Sequence, residues 1–129
     1  MKTKQIIKTS SAPSPIGPYN QATMAGGFLF ISGQIALDPE TGELHIGDIS
    51  SETTLVMKHL QVILAAAGMT FENVVKTSIF LKDMGQFAQV NEVYARYFEA
   101  STAPARETVE VACLPKNVHV EISMVAYKG

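Results

Sequence analysis

The sequence predicts an α+β fold in which a mixed sheet of about six strands carries two helices on one face. Two amphipathic helical patterns stand in the chain, one from about Ser51 to Ala67 and a second running to about Glu99. Short alternating runs stand before, between and after them, in the order β, ββ, α, β, α, ββ. No internal repeat, low-complexity tract or long linker divides the 129 residues, so a single domain over 1–129 is expected.

The composition fits that class and narrows the chemistry. A hydrophobic fraction of 47% suits a packed core. The net charge is −2 with both signs scattered, which argues against a nucleic-acid partner bound through a basic stripe. Cys113 is the sole cysteine, which excludes an intrachain disulfide and a cysteine-cluster metal site within one chain. Met1 to Lys8 carries three lysines with no apolar h-region behind them, and the apolar run Val62 to Ala67 is far short of a bilayer span. A soluble cytoplasmic protein without membrane association is the expectation.

Lys4 to Ile7 reads as a short strand. Ser10 to Pro18 is a loop, because three prolines and a glycine forbid regular structure there. It delivers Tyr19, Asn20 and Gln21 to the next element. Ala22 to Met24 and Phe28 to Ser32 form a hairpin about Gly26-Gly27, which supplies the positive φ angles of a tight turn. Phe28, Phe30 and Ser32 share one face and Leu29 and Ile31 the other; Gly33 ends the strand. Ile35 to Gly47 is loop, with Asp38-Pro39 and Thr41-Gly42 as turn signals. Val56, Leu60, Ile63, Leu64 and Ala67 line one face of the first helix, with Ser50 or Ser51 as N-cap and Gly68 as stop. Val74 to Leu81 is a strand. Asp83 with Gln86 resembles a capping box. Phe87, Val90, Tyr94, Tyr97 and Phe98 line the second helix, which Ala103-Pro104 breaks. Two last strands flank the turn-prone Leu114 to Asn117, the second ending near Tyr127. Two helices cover only one face of such a sheet, so Phe28, Phe30 and Phe80 or their neighbours remain open, and a second subunit is the natural cover.

Most familiar chemistry is missing. His45, His59 and His119 are isolated and lack metal-ligand spacing, and no phosphate loop, nucleophile elbow or dinucleotide fingerprint is present. Cys113 alternates with Val109 and Val111 and reads as a buried structural thiol. Arg106 remains, a side chain suited to gripping a carboxylate through two parallel hydrogen bonds. Glu121 can place a water and exchange protons. Tyr19 and Ser32 add hydroxyls, and Gly33 permits close backbone approach. On local pattern alone, a surface Arg106 paired with Glu107 or Glu110 and a solvated Glu121 are the simpler readings. Alternation puts Arg106 and Glu121 on one polar face; suppose further that the last two strands pair as a hairpin. Glu121 then lies opposite Glu110, with Arg106 roughly 13 Å further along. A site using both therefore needs a different pairing or two subunits, and an intersubunit site is the expectation.

A family resemblance rests on Ala12-Pro13, Ile16 to Ala22, Phe30 to Gln34, Asn91 with Tyr94 and Phe98, Pro104-Ala105-Arg106, Val109 to Ala112 with Leu114-Pro115, and Val120-Glu121-Ile122. In that order and spacing the sequence resembles the RidA/YjgF family of imine/enamine deaminases. The resemblance implies a chorismate-mutase-like fold, a homotrimer built on a central barrel, clefts between subunits, and no cofactor or metal. It implies hydrolysis of 2-aminoacrylate and related 2-imino acids to 2-oxo acids and ammonia. By position, Arg106 binds the substrate carboxylate, Glu121 orients the attacking water, and Tyr19, Ser32, Gly33 and Asn91 line or support the cleft. The position two after the arginine is commonly cysteine in the family and is Thr108 here, where the backbone carbonyl persists and a hydroxyl replaces the thiol. The position of Cys113 is commonly arginine. The alternatives are a non-catalytic trimer sensing 2-oxo acids, and an RNA-directed translation inhibitor or endoribonuclease.

Overall fold

The computed structural model describes residues 3–129; the leader reading at Met1 and Lys2 lies outside them. Six strands form one sheet: β1 (Gln5–Ile7), β2 (Ala22–Ala25), β3 (Phe28–Gln34), β4 (Val74–Leu81), β5 (Ala105–Glu110) and β6 (Val120–Tyr127). Their spatial order is β1-β2-β3-β6-β4-β5. Neighbours are antiparallel except β4 and β5, which are parallel. Parallel neighbours need a crossover, and α2 (Phe87–Ala95) supplies it.

The first hairpin forms as the sequence predicts. Gly26 and Gly27 adopt φ of 56° and 88°, which lets Ala25 pair directly with Phe28. The strand does not end at Gly33. It runs on to Gln34 through a bulge between Ile31 and Gln34, where β3 is out of register with β6.

Helix α1 spans Ile49–Ala66, and its N-cap is Asp48 rather than Ser50 or Ser51. The Asp48 carboxylate accepts from Ser51 N–H at 3.3 Å and from Ser51 Oγ at 2.9 Å. Gly68, at φ +73°, closes the other end: its N–H reaches Ala65 O, and Met69 N–H reaches Leu64 O, as in a Schellman stop. Helix α2 ends at Ala95, short of Glu99. Tyr97 and Phe98 lie beyond it and pack on Phe71, with ring centroids 5.1 and 5.4 Å away. Of the capping box expected at Asp83, the structure has the carboxylate accepting from Gly85 N–H at 2.8 Å, which starts a short 3₁₀ turn before α2.

Both helices lie on one face of the sheet. Val56, Leu60, Ile63 and Leu64 of α1 and Val90 of α2 form one core with Leu29, Ile79, Leu81, Val120 and Ile122, all of them buried. Each such side chain contributes roughly 1.5–3 kcal/mol of burial. The other face stays open and shows Ile6, Phe28, Phe30, Val109 and Tyr127, each 41–48% exposed.

The last two strands do not pair as a hairpin; the different pairing holds. β4 lies between β5 and β6, and residues 111–119 cross its end. Leu114 to Asn117 is a 3₁₀ turn with Lys116 and Asn117 at φ of 55° and 58°. Cys113 is exposed rather than buried, because the strand ends at Glu110 and its alternation stops there.

Candidate active site: two half-sites

Arg106 stands on β5, the strand at one edge of the sheet, in register with Thr77. Thr77 is fully buried and faces the helices, so Arg106 shares the helix side. Phe87, Asn91 and Tyr94 meet it there, at i, i+4 and i+7 along one stripe of α2. Arg106 Nη1 donates to Asn91 Oδ1 at 2.6 Å. The guanidinium carbon lies 5.0 Å from the Tyr94 ring centroid and 5.6 Å from that of Phe87. Tyr94 is held in turn by a 2.9 Å hydrogen bond from its hydroxyl to Thr77 Oγ1. Burial pushes the Tyr94 phenol up, so the ring stays neutral beside the cation.

The simpler reading of Arg106 as a surface ion pair fails here. Glu107 pairs with Lys76 at 2.9 Å and accepts from the Ser78 hydroxyl, while Glu110 accepts from Met84 N–H at 2.8 Å. Arg106 has no carboxylate partner among the described residues. Beside it opens a recess of about 460 Å³ lined by Asn91, Tyr94, Ala95, Phe98, Ala103 and Arg106. Thr108, two residues on and on the same face, has a buried hydroxyl oxygen with no hydrogen-bond partner. Asn91 thus both holds the arginine and lines the recess beside it.

Glu121 belongs to a second half-site. It pairs with Phe80, an odd number of residues from Thr77, so it faces the opposite side of the sheet from Arg106. The shared polar face read from alternation is thus corrected. Two strand spacings and three residues of rise separate the two positions, about 14 Å. One chain does not bring them together.

Around Glu121 the β3 bulge brings Gly33 against the carboxylate, where a Cβ on Gly33 would overlap Oε2. The carboxyl is half-buried, and burial alone holds it above the usual carboxylate range. Ser32 is a neighbour, its hydroxyl donating to Asn20 O at 2.7 Å. Tyr19 is half-exposed and accepts from Ile16 N–H at 3.4 Å. A cavity of about 370 Å³ lined by Pro13, Ile16, Tyr19, Gly33, Gln34 and Lys116 opens beside these groups.

Two supports were missed by sequence reasoning. Gln21 is buried and staples the proline loop: its amide nitrogen donates to Thr9, Ala12 and Pro13 carbonyls at 3.0, 3.2 and 2.8 Å, and its oxygen accepts from Thr9 N–H at 2.7 Å. Its place directly after Tyr19-Asn20 was the available signal. Glu52, with a fully buried side chain, accepts from His119 N–H, His119 Nδ1 and Val120 N–H at 2.8, 2.8 and 3.3 Å. It fixes the start of β6 just before Glu121, and nothing in the local pattern of α1 announced it. His59 is a buried packing residue whose Nε2 meets Leu37 O at 2.8 Å.

Fold and geometry define an α+β sheet protein of the chorismate-mutase-like kind with an arginine half-site and a carboxylate half-site. The profile of the family described as Endoribonuclease L-PSP matches residues 9–128. A RutC family protein of Pyrococcus horikoshii is 54% identical over 125 residues, spanning 97% of this chain and 98% of its own. The 2-iminobutanoate/2-iminopropanoate deaminase of Homo sapiens is 44% identical over 126 residues, spanning 98% and 91%. The structure of YyfA from Yersinia pestis, of the conserved Rid protein family, aligns with a TM-score of 0.93 at 46% identity over 97% of this chain and 99% of its own. The chain belongs to the RidA/YjgF family. No helix among the described residues is long and apolar enough to cross a membrane.

Proposed function

We propose that the protein is a cofactor-free deaminase that hydrolyses 2-imino acids, formed from 2-aminoacrylate and related enamines, to 2-oxo acids and ammonia. The observation that carries this reading is a pair of unmatched groups: a seated arginine without a carboxylate partner, and a half-buried carboxyl held above its usual range. The deaminase name of the human relative points the same way.

In this mechanism Arg106 grips the substrate carboxylate through a bidentate pair. Water adds to the imine carbon as Glu121 takes one of its protons and passes it to the imine nitrogen, giving a neutral carbinolamine. Glu121 then takes the carbinolamine hydroxyl proton and passes it to the same nitrogen, so that the C–N bond breaks, ammonia leaves and the carbonyl forms. A carboxyl with a raised pKa suits both transfers near neutral pH. An imine is already electrophilic, so orientation and a placed water suffice. The unpartnered Thr108 hydroxyl gains its hydrogen bond from the ligand. Tyr19, Ser32 and Gly33 line the other wall.

The two halves face opposite sides of one sheet, so the complete site lies between copies. The open face with Phe28, Phe30 and Tyr127 gives copies an apolar surface to share, and a homotrimer in the cytoplasm is the assembly we assign. The test generates 2-aminoacrylate in situ with a serine dehydratase and follows pyruvate release. Wild type accelerates release and Arg106→Ala loses at least 100-fold. Equal rates with and without wild-type protein refute the reading.

A further inference from the structure

We infer that the stripe Phe87, Asn91 and Tyr94 on α2 acts as a positioning face, holding the Arg106 guanidinium flat so that its Nε–Nη2 edge is presented to one carboxylate. This rests on the reading of Arg106 as the carboxylate anchor, and extends it to the residues that hold that arginine.

Three contacts from one helix restrain one planar group. Asn91 Oδ1 takes Nη1 at 2.6 Å, a short charge-assisted hydrogen bond that fixes rotation in the plane of the fork. The Tyr94 and Phe87 rings, with centroids at 5.0 and 5.6 Å, lie within cation–π range and limit tilt out of that plane. The Tyr94 ring cannot swing, because it is 5% exposed and its hydroxyl is tied to Thr77. After these contacts the Nε–Nη2 edge donates to nothing among the described residues. Arg106 lies on an exposed edge strand, where an unrestrained arginine would samples many rotamers; ordering it before binding removes a side-chain entropy cost from the complex. A lysine could not replace it, having neither a planar fork nor a second edge once Asn91 is satisfied.

The test separates this inference from the deaminase reading by measuring binding as well as turnover. Calorimetric titration with 2-oxobutanoate, a 2-oxo acid probe, is run on wild type, Tyr94→Phe, Tyr94→Leu, Phe87→Leu and Asn91→Asp. Tyr94→Phe keeps the flat ring and binds within about threefold of wild type. Tyr94→Leu and Phe87→Leu each weaken binding about tenfold, in the range of one cation–π contact. Asn91→Asp keeps the hydrogen bond but sets an anion beside the incoming carboxylate, and weakens binding more than tenfold. In turnover the leucine variants raise KM while kcat changes less than threefold. Wild-type affinity in folded Phe87→Leu and Asn91→Asp overturns the inference, whatever becomes of Tyr94→Leu. Arg106-dependent oxo-acid binding without imine hydrolysis leaves the inference standing and removes the deaminase reading.

Discussion

At the scale of single residues, Glu121 joins stability to chemistry. Burial favours its protonated form in the folded chain, so its contribution is present below the unfolded pKa and is lost as pH rises through the raised folded value. Glu121→Gln removes the cost of a buried charge. Thermal melts should show the variant more stable than wild type at pH 7 and indistinguishable from it below pH about 4, with turnover lost at both. Because half the group still meets solvent, the gain is at most about 1 kcal/mol. An equal stability difference at both pH values contradicts the assignment. Gly33 constrains the same carboxylate from the other side. A methyl there overlaps Glu121 Oε2 rather than backbone, so Gly33→Ala should fold with less than about 1 kcal/mol of loss yet turn over at least tenfold more slowly, read from paired urea titrations and rate assays. Glu52 is the contrasting case. Its carboxylate is fully buried and holds three donors, two from half-buried His119 and one from buried Val120, and Glu52→Ala leaves them without that acceptor, at a cost of about 1–3 kcal/mol by urea unfolding. Glu52→Gln keeps an acceptor and should recover more than half of that.

At the scale of elements, the stop of α1 depends on one backbone conformation. Gly68 sits at φ +73°, where a Cβ would meet only Lys128 Nζ at an ordinary 3.9 Å, so Gly68→Ala should cost about 1 kcal/mol from left-handed strain, measured as a shift in urea midpoint at unchanged slope. Such features were legible because they are local. The double glycine, the α1 stripe and Gly68 each dictate their own geometry. The pairing of β5 was legible only in part. Leu114 to Asn117 has the composition of a hairpin turn, yet it carries two residues with left-handed φ and passes over the end of β4. The order strand, helix, strand before it was the better guide, since a helix such as α2 is the crossover that parallel β4 and β5 need. The strand order decides the site. With β4 inserted, Arg106 registers with Thr77 and Glu121 with Phe80, and the odd offset sends them to opposite faces. Site residues were recognisable by type and motif; which residues share a face depends on register, and register is a property of the assembled sheet. The Asp48 cap shows a smaller version, where Ser50 or Ser51 was the expected cap and the helix starts earlier, with Ser51 donating to the Asp48 carboxylate.

At the scale of the whole molecule, the question is whether a second copy completes each site. In one chain Arg106 and Glu121 stand on opposite sides of a sheet, while the open face displays Ile6, Phe28, Phe30, Val109 and Tyr127. A closed ring built by one repeated contact sets the arginine side of each copy against the carboxylate side of the next. Two inactive variants then complement one another. Arg106→Ala keeps a sound carboxylate half, and Glu121→Gln keeps a sound arginine half. If they are unfolded together and refolded at equal concentration, random assembly gives each site a sound arginine half with probability one half and a sound carboxylate half with the same probability, so about a quarter of wild-type activity returns. Mixing the two folded variants without unfolding restores activity only as fast as subunits exchange. A site contained in one chain forbids recovery at any mixing ratio, because every copy then carries one lesion in its own site. Failure to recover activity, with mixed oligomers verified by mass spectrometry, therefore rejects the shared site. Recovery that follows the product of the two subunit fractions, largest at equal mixing, identifies it.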